Sequence, residues 1–88
     1  MISKEYIILA SDGIHARPAT ALLKLSREYK SVIHIAKNNK TVRLNSMLNL
    51  LTLAPKFGDT ITVSVEGEDE QEALNAIGHF FTEDLKNF

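Results

Sequence analysis

The chain has 88 residues, 44% of them hydrophobic, with ten Lys and Arg against eleven Asp and Glu and no cysteine. That length predicts one domain over residues 1–88 with a small core, burying about 60–65% of the unfolded surface. The missing cysteines exclude a disulfide scaffold, the net charge of −1 speaks against nucleic acid or an anionic membrane as partner, and no apolar run nears a membrane span.

A cytoplasmic domain is therefore expected, with no membrane insertion; Lys4-Glu5 also breaks any secretory h-region. In chain order, Tyr6-Ile7-Ile8-Leu9 is a β-branched and aromatic run stopped by the turn signal Ser11-Asp12-Gly13, and it predicts a first strand. Ala16, Ala19, Leu22, Leu23 and Ser26 recur at helical spacing and predict a helix from Ala16 to about Tyr29, with Pro18 tolerated in its first turn. Val32 to Ala36 predicts a second strand, and Lys37-Asn38-Asn39-Lys40 a polar hairpin turn into a third at Thr41-Val42-Arg43.

Ser46 is placed to cap a short helix running to about Leu51, which Ala54-Pro55-Lys56-Phe57-Gly58-Asp59 then breaks. Ile61, Val63 and Val65 alternate with Thr60, Thr62 and Ser64, the clearest strand of the chain. Gly67-Glu68-Asp69 opens a last helix, striped by Ala73, Leu74, Ile77, Phe80 or Phe81, and Leu85. The order β-α-β-β-α-β-α, with one apolar strand face, predicts an α+β open-faced sandwich. Its four-stranded antiparallel sheet carries three helices on one side.

Chemistry concentrates in Gly13-Ile14-His15-Ala16-Arg17-Pro18-Ala19, which sets a histidine at or next to the N-cap of the first helix. The first N–H groups of a helix lack internal partners and carry about half a positive charge, so such an end binds phosphate. An imidazole there is disfavoured as a cation and stays nucleophilic. Arg17 supplies a planar fork of donors matched to phosphate oxygens. Local physics leaves two readings open: a surface cap, or an acceptor that holds a phosphoryl group poised for transfer. His34 and His79 read as a polar strand position and a helix surface position. No histidine or carboxylate spacing suggests a metal site, and no cofactor is implied.

That string resembles the active-site signature of the HPr family, the histidine-containing phosphocarriers of the bacterial phosphoenolpyruvate-dependent sugar phosphotransferase system, and the likeness extends over the whole chain. The resemblance implies that His15 takes a phosphoryl group on Nδ1 from enzyme I and gives it to a sugar-specific IIA domain. Arg17 and the amides of Ala16 and Arg17 would hold that group. The chain would then be a carrier and not an enzyme, shuttling as a monomer. A second family motif, here Leu44-Asn45-Ser46-Met47-Leu48-Asn49-Leu50-Leu51, implies regulatory phosphorylation at Ser46. A serine kinase/phosphorylase and transcription regulators then join the expected partners. The residues themselves leave open that Ser46 is only a cap, and both roles are compatible.

Leu44 to Leu53 holds more apolar residues than one face of a short helix can bury, so Met47, Leu48 and Leu51 are expected to form an exposed docking patch. Lys24 and Arg27, near the helical face of Arg17, would steer acidic partners. Two further readings stay open: a regulatory member of this fold controlling nitrogen or carbon metabolism, and a non-catalytic interaction domain. The chain departs from the family pattern at Asp12, Asn45 and Ala54-Pro55. A carboxylate at position 12 would repel a phosphorylated neighbour, Asn45 replaces a common lysine, and Ala54-Pro55 predicts an altered loop path.

Overall fold

Alternation in one strand organises the molecule. The structure, a computed structural model, describes residues 1–88 and pairs four strands: β1 (Ile2–Ile7), β2 (Val32–Lys37), β3 (Lys40–Arg43) and β4 (Thr60–Glu66). All pairings are antiparallel, in the order β1-β4-β2-β3. β4 is central. Its Ile61 and Val65 stand opposite Tyr6 and Ile2 of β1, and its Val63 and Val65 opposite Ile35 and Ile33 of β2. These side chains share one face, and Ile61, Val63 and Val65 are wholly buried there. The other face carries Ser3, Ser64, His34 and Arg43 in one cross-strand row.

Three helices cover the apolar face: α1 (Ala16–Ser26), α2 (Met47–Leu53) and α3 (Glu70–His79). The expected α+β open-faced sandwich is the fold observed. A single cluster joins all 21 buried apolar residues, so the chain has one core and no second hydrophobic centre. No helix is long and apolar enough to cross a membrane.

Four boundaries differ from expectation, each for a local reason. β1 is Ile2–Ile7 and not Tyr6–Leu9. Its inward residues are Ile2, Tyr6 and Ile8, while Ile7 and Leu9 are exposed. α1 ends at Ser26 because the chain tightens, with Glu28 N–H donating to the Leu25 carbonyl and Tyr29 N–H to that of Ser26. Lys37 and Lys40 are paired strand residues, and the hairpin turn shrinks to Asn38-Asn39, with Asn38 at φ +56°. α2 runs on to Leu53, where Ala54 stops it in the left-handed region. Past α3 the helix widens into one π turn, Phe80–Asp84, and both phenylalanines are buried. Phe81 stacks on Tyr6, which binds the C-terminal segment to β1.

Candidate functional site

His15 is the N-cap residue of α1, extended at φ −99° and ψ −166°. Its carbonyl accepts the Ala19 N–H at 3.0 Å, which closes the first helical turn. Its half-buried ring makes no capping hydrogen bond and is free for other chemistry. Pro18 has no N–H, so the amides of Ala16 and Arg17 are the free donors of that turn. No acidic residue lies in the first turn of α1, and its positive end stays unneutralised. Ala16 and Arg17 are both exposed. The result is a histidine at a helix end beside two unpartnered amides, an arrangement suited to an oxyanion.

The turn before His15 is tightly seated. Gly13 donates its N–H to the Ala10 carbonyl at 2.9 Å and takes φ +63°. A Cβ on Gly13 would lie 2.4 Å from the Pro55 oxygen, so only glycine fits. Ile14 N–H donates to that same oxygen at 3.0 Å, and Ile14 and Pro55 are both buried. The loop through Ala54-Pro55 therefore packs against the turn that leads into His15. Ala54 sits at φ +50°, ψ +57°, where a non-glycine residue costs about 1–2 kcal/mol. Asp12 is exposed.

Arg17 lies over the ring of Phe88, its guanidinium carbon 5.9 Å from the ring centre, a cation–π contact that sequence reading did not anticipate. Phe88 and Arg17 line a depression of about 370 Å³ together with Ala16, Thr20, Ala21 and Lys24. Lys24 is thus on the same side of α1 as Arg17. Arg27 borders a separate polar depression with Lys30 and Arg43.

Ser46 is the N-cap of α2, and its Oγ accepts the Asn49 N–H at 3.1 Å. The Asn49 side chain in turn donates to the Arg43 carbonyl and the Asn45 side-chain oxygen, tying the cap to β3. Leu50 and Leu53 enter the core, while Leu48 is 74% and Leu51 45% exposed. Met47 differs from expectation: it is half-buried and packed against the core. His34 lies on the open sheet face, and His79 is 3.5 Å from Asp84 on the helix surface. No three His, Cys, Asp or Glu side chains converge as metal ligands.

Comparison with known proteins agrees with this geometry. The family described as "PTS HPr component phosphorylation site" matches residues 2–83. The phosphocarrier protein HPr of Haemophilus influenzae is 39% identical over 74 residues, spanning 84% of this chain and 87% of that protein. Among solved structures, HPr-C-His from Thermoanaerobacter tengcongensis superposes with a TM-score of 0.92 at 29% identity, covering 97% of this chain and 96% of that one. The phosphocarrier HPr of Bacillus anthracis does so with a TM-score of 0.87 at 31% identity, over 92% and 96% of the two chains.

Proposed function

The chain belongs to the HPr phosphocarrier family of the phosphotransferase system, and from that premise we propose that His15 accepts a phosphoryl group from phosphorylated enzyme I and passes it to sugar-specific IIA domains. The observation that carries this reading is the uncommitted His15 ring at a helix end with two free amides and no neutralising acid. In the forward step, the unprotonated ring nitrogen attacks phosphorus, a P–N bond forms at His15, and the bond to the donor breaks. The family resemblance assigns that nitrogen as Nδ1. The amides of Ala16 and Arg17 and the Arg17 guanidinium then balance the charge of the phosphoryl oxygens. The second step reverses the first toward the acceptor. The chain turns over nothing on its own; it is a carrier between two partners.

The exposed Leu48 and Leu51 on α2, with Lys24 on α1, supply the docking face in this reading. Ser46 takes a regulatory phosphate. A phosphate at a helix N-terminus is electrostatically tolerated, so α2 persists and about two negative charges appear beside the docking leucines. That charge slows the transfer from enzyme I.

The decisive experiment incubates the protein with phosphoenolpyruvate and enzyme I and looks for an acid-labile adduct of about 80 Da. Wild type acquires it and His15→Ala does not. An adduct that persists in His15→Ala, or none in wild type, refutes the assignment.

A further inference from the structure

The His15 turn has its own Gly13–Ala10 bond and a second support from outside. It leans on residues 54–56 through the Ile14–Pro55 hydrogen bond and the close approach of Gly13, so the path of that loop sets where His15 stands. The loop begins at Ala54 in a left-handed conformation, and Pro55 has no N–H with which to anchor it.

Backbone bonds from the Ala54 N–H to the Leu50 carbonyl and from the Gly58 N–H to the Ile8 carbonyl hold its ends, and one side chain from the sheet adds a further anchor. Lys37, the last residue of β2, donates from Nζ to the Ala54 carbonyl at 2.7 Å. The same Nζ lies 2.9 Å from Asp59 Oδ2. The Lys37 side chain is only 17% exposed, so this ammonium group is held in place. Asp59 closes the loop from its other end: Oδ2 accepts the Lys56 N–H at 2.7 Å, and its backbone carbonyl accepts the Ile8 N–H at 2.9 Å. Lys37 thus clips together the first and last residues of the segment packed against the His15 turn, and it does so from a strand in the middle of the fold. The hydrogen bond from the Lys37 ammonium holds the Asp59 carboxyl below the usual carboxylate range.

We propose that Lys37 and Asp59 are positioning residues for His15, acting through residues 54–56 and setting the rate at which His15 is phosphorylated. Neither residue belongs to the set that would touch the phosphoryl group. The inference rests on the carrier reading above. Misplacing a reacting atom by about 1 Å can cost on the order of a hundredfold in rate, so a loosened loop is visible in transfer before it is visible in folding.

The test compares wild type with Lys37→Met, Lys37→Arg and Asp59→Asn at 25 °C, with the protein as substrate of enzyme I and phosphoenolpyruvate. Two quantities are read: hydrogen exchange of the Ile14 amide, and kcat against KM for phosphorylation. Lys37→Met is expected to speed Ile14 exchange about tenfold and to lower kcat about five- to tenfold with KM unchanged, since the docking side chains are untouched. Lys37→Arg keeps a cationic donor and stays within about twofold of wild type. Should Lys37→Met fold poorly, Asp59→Asn answers the question, with a smaller loss because its amide oxygen still accepts the Lys56 N–H. Unchanged Ile14 exchange in Lys37→Met and Asp59→Asn overturns the anchoring, and faster exchange with unaltered kcat overturns the link to rate. Wild type that takes no phosphoryl group overturns the carrier reading and the rate claim together, while Ile14 exchange still decides the anchoring.

Discussion

The N-termini of α1 and α3 begin alike and are finished differently. Each follows a glycine with positive φ pressed against a neighbouring segment: Gly13 against Pro55 and Lys56, Gly67 against Ser31. At α3 the acids at the start are in use, although Asp69 makes no side-chain cap bond to its own helix. Asp69 accepts the N–H groups of Lys30 and Ser31 and the Ser31 hydroxyl, Glu70 accepts the Gly67 N–H, and Glu70 and Glu72 place acids against the positive end. At α1 there is no acid, the N-cap ring makes no bond, and two amides are unspent. One end sets acids against its dipole. The other has no acid, and in the function proposed above its field serves a ligand.

The largest effects should come from the two glycines. Gly13→Ala places a Cβ 2.4 Å from the Pro55 oxygen, and Gly67→Ala one 2.6 Å from Ser31 Cα, both against backbone that cannot easily retreat. Each is expected to cost about 2–4 kcal/mol in a urea titration. Their consequences then part. Gly13→Ala should also slow phosphorylation of whatever protein remains folded, whereas folded Gly67→Ala should accept phosphate at the wild-type rate. Equal transfer rates per folded molecule for the two variants would erase the functional distinction between the helix ends.

This difference was half visible in the sequence. Gly13-Ile14-His15-Ala16-Arg17-Pro18 announces a histidine at a helix start, and an acid-poor first turn can be read directly from those letters. Local periodicity also shows the inward face of β4, the Ser46 cap and the burial of Leu50 and Leu53, because each depends on neighbours within a turn or a strand. The supports were not legible. Lys37 reaching Ala54 and Asp59, Ile14 leaning on Pro55, and Phe88 beneath Arg17 are contacts between distant segments, and no spacing rule encodes them. The first strand differs from expectation for a related reason. The apolar run predicts it at Tyr6–Leu9, whereas the strand follows the burial of Ile2, Tyr6, Ile8 and Ala10 with solvent-facing residues between.

A smaller and sharper effect comes from making the two ends resemble each other. Ala16 is exposed, so Ala16→Glu adds an acid to the first turn of α1 without displacing core atoms. It should stabilise the fold by about 0.5 kcal/mol through the helix dipole. It should also slow phosphorylation of His15 about tenfold, because a carboxylate now faces the incoming phosphoryl oxygens. The reciprocal change, Glu70→Gln in α3, should lose about 0.5 kcal/mol and leave phosphorylation alone. Opposite signs for stability and transfer in Ala16→Glu are the signature of a field reserved for a ligand; if transfer is unaffected, the free end of α1 has no part in catalysis.

The gentlest test uses pH. Asp69 is held below the usual carboxylate range first by the Ser31 hydroxyl and next by the Lys30 amide, and Asp59 first by Lys37 and next by the Lys56 amide. A folded-state pKa depressed below its unfolded value of about 3.9 contributes stability that is complete above that value and disappears as pH falls through the folded one. Both contributions are therefore intact at neutral pH and lost only in strong acid, below about pH 4. Thermal midpoints taken from pH 7 down to pH 3 should drop steeply at the acid end in wild type. Asp69→Asn should begin lower at pH 7 and fall less in acid, with neutral-pH phosphorylation unaltered, because the Asp69 carboxylate binds only Lys30 and Ser31, away from His15. Asp59→Asn should flatten the acid limb in the same way but carry the transfer defect with it. A steep acid limb retained in Asp69→Asn would mean that its three hydrogen bonds hold nothing the folded state depends on.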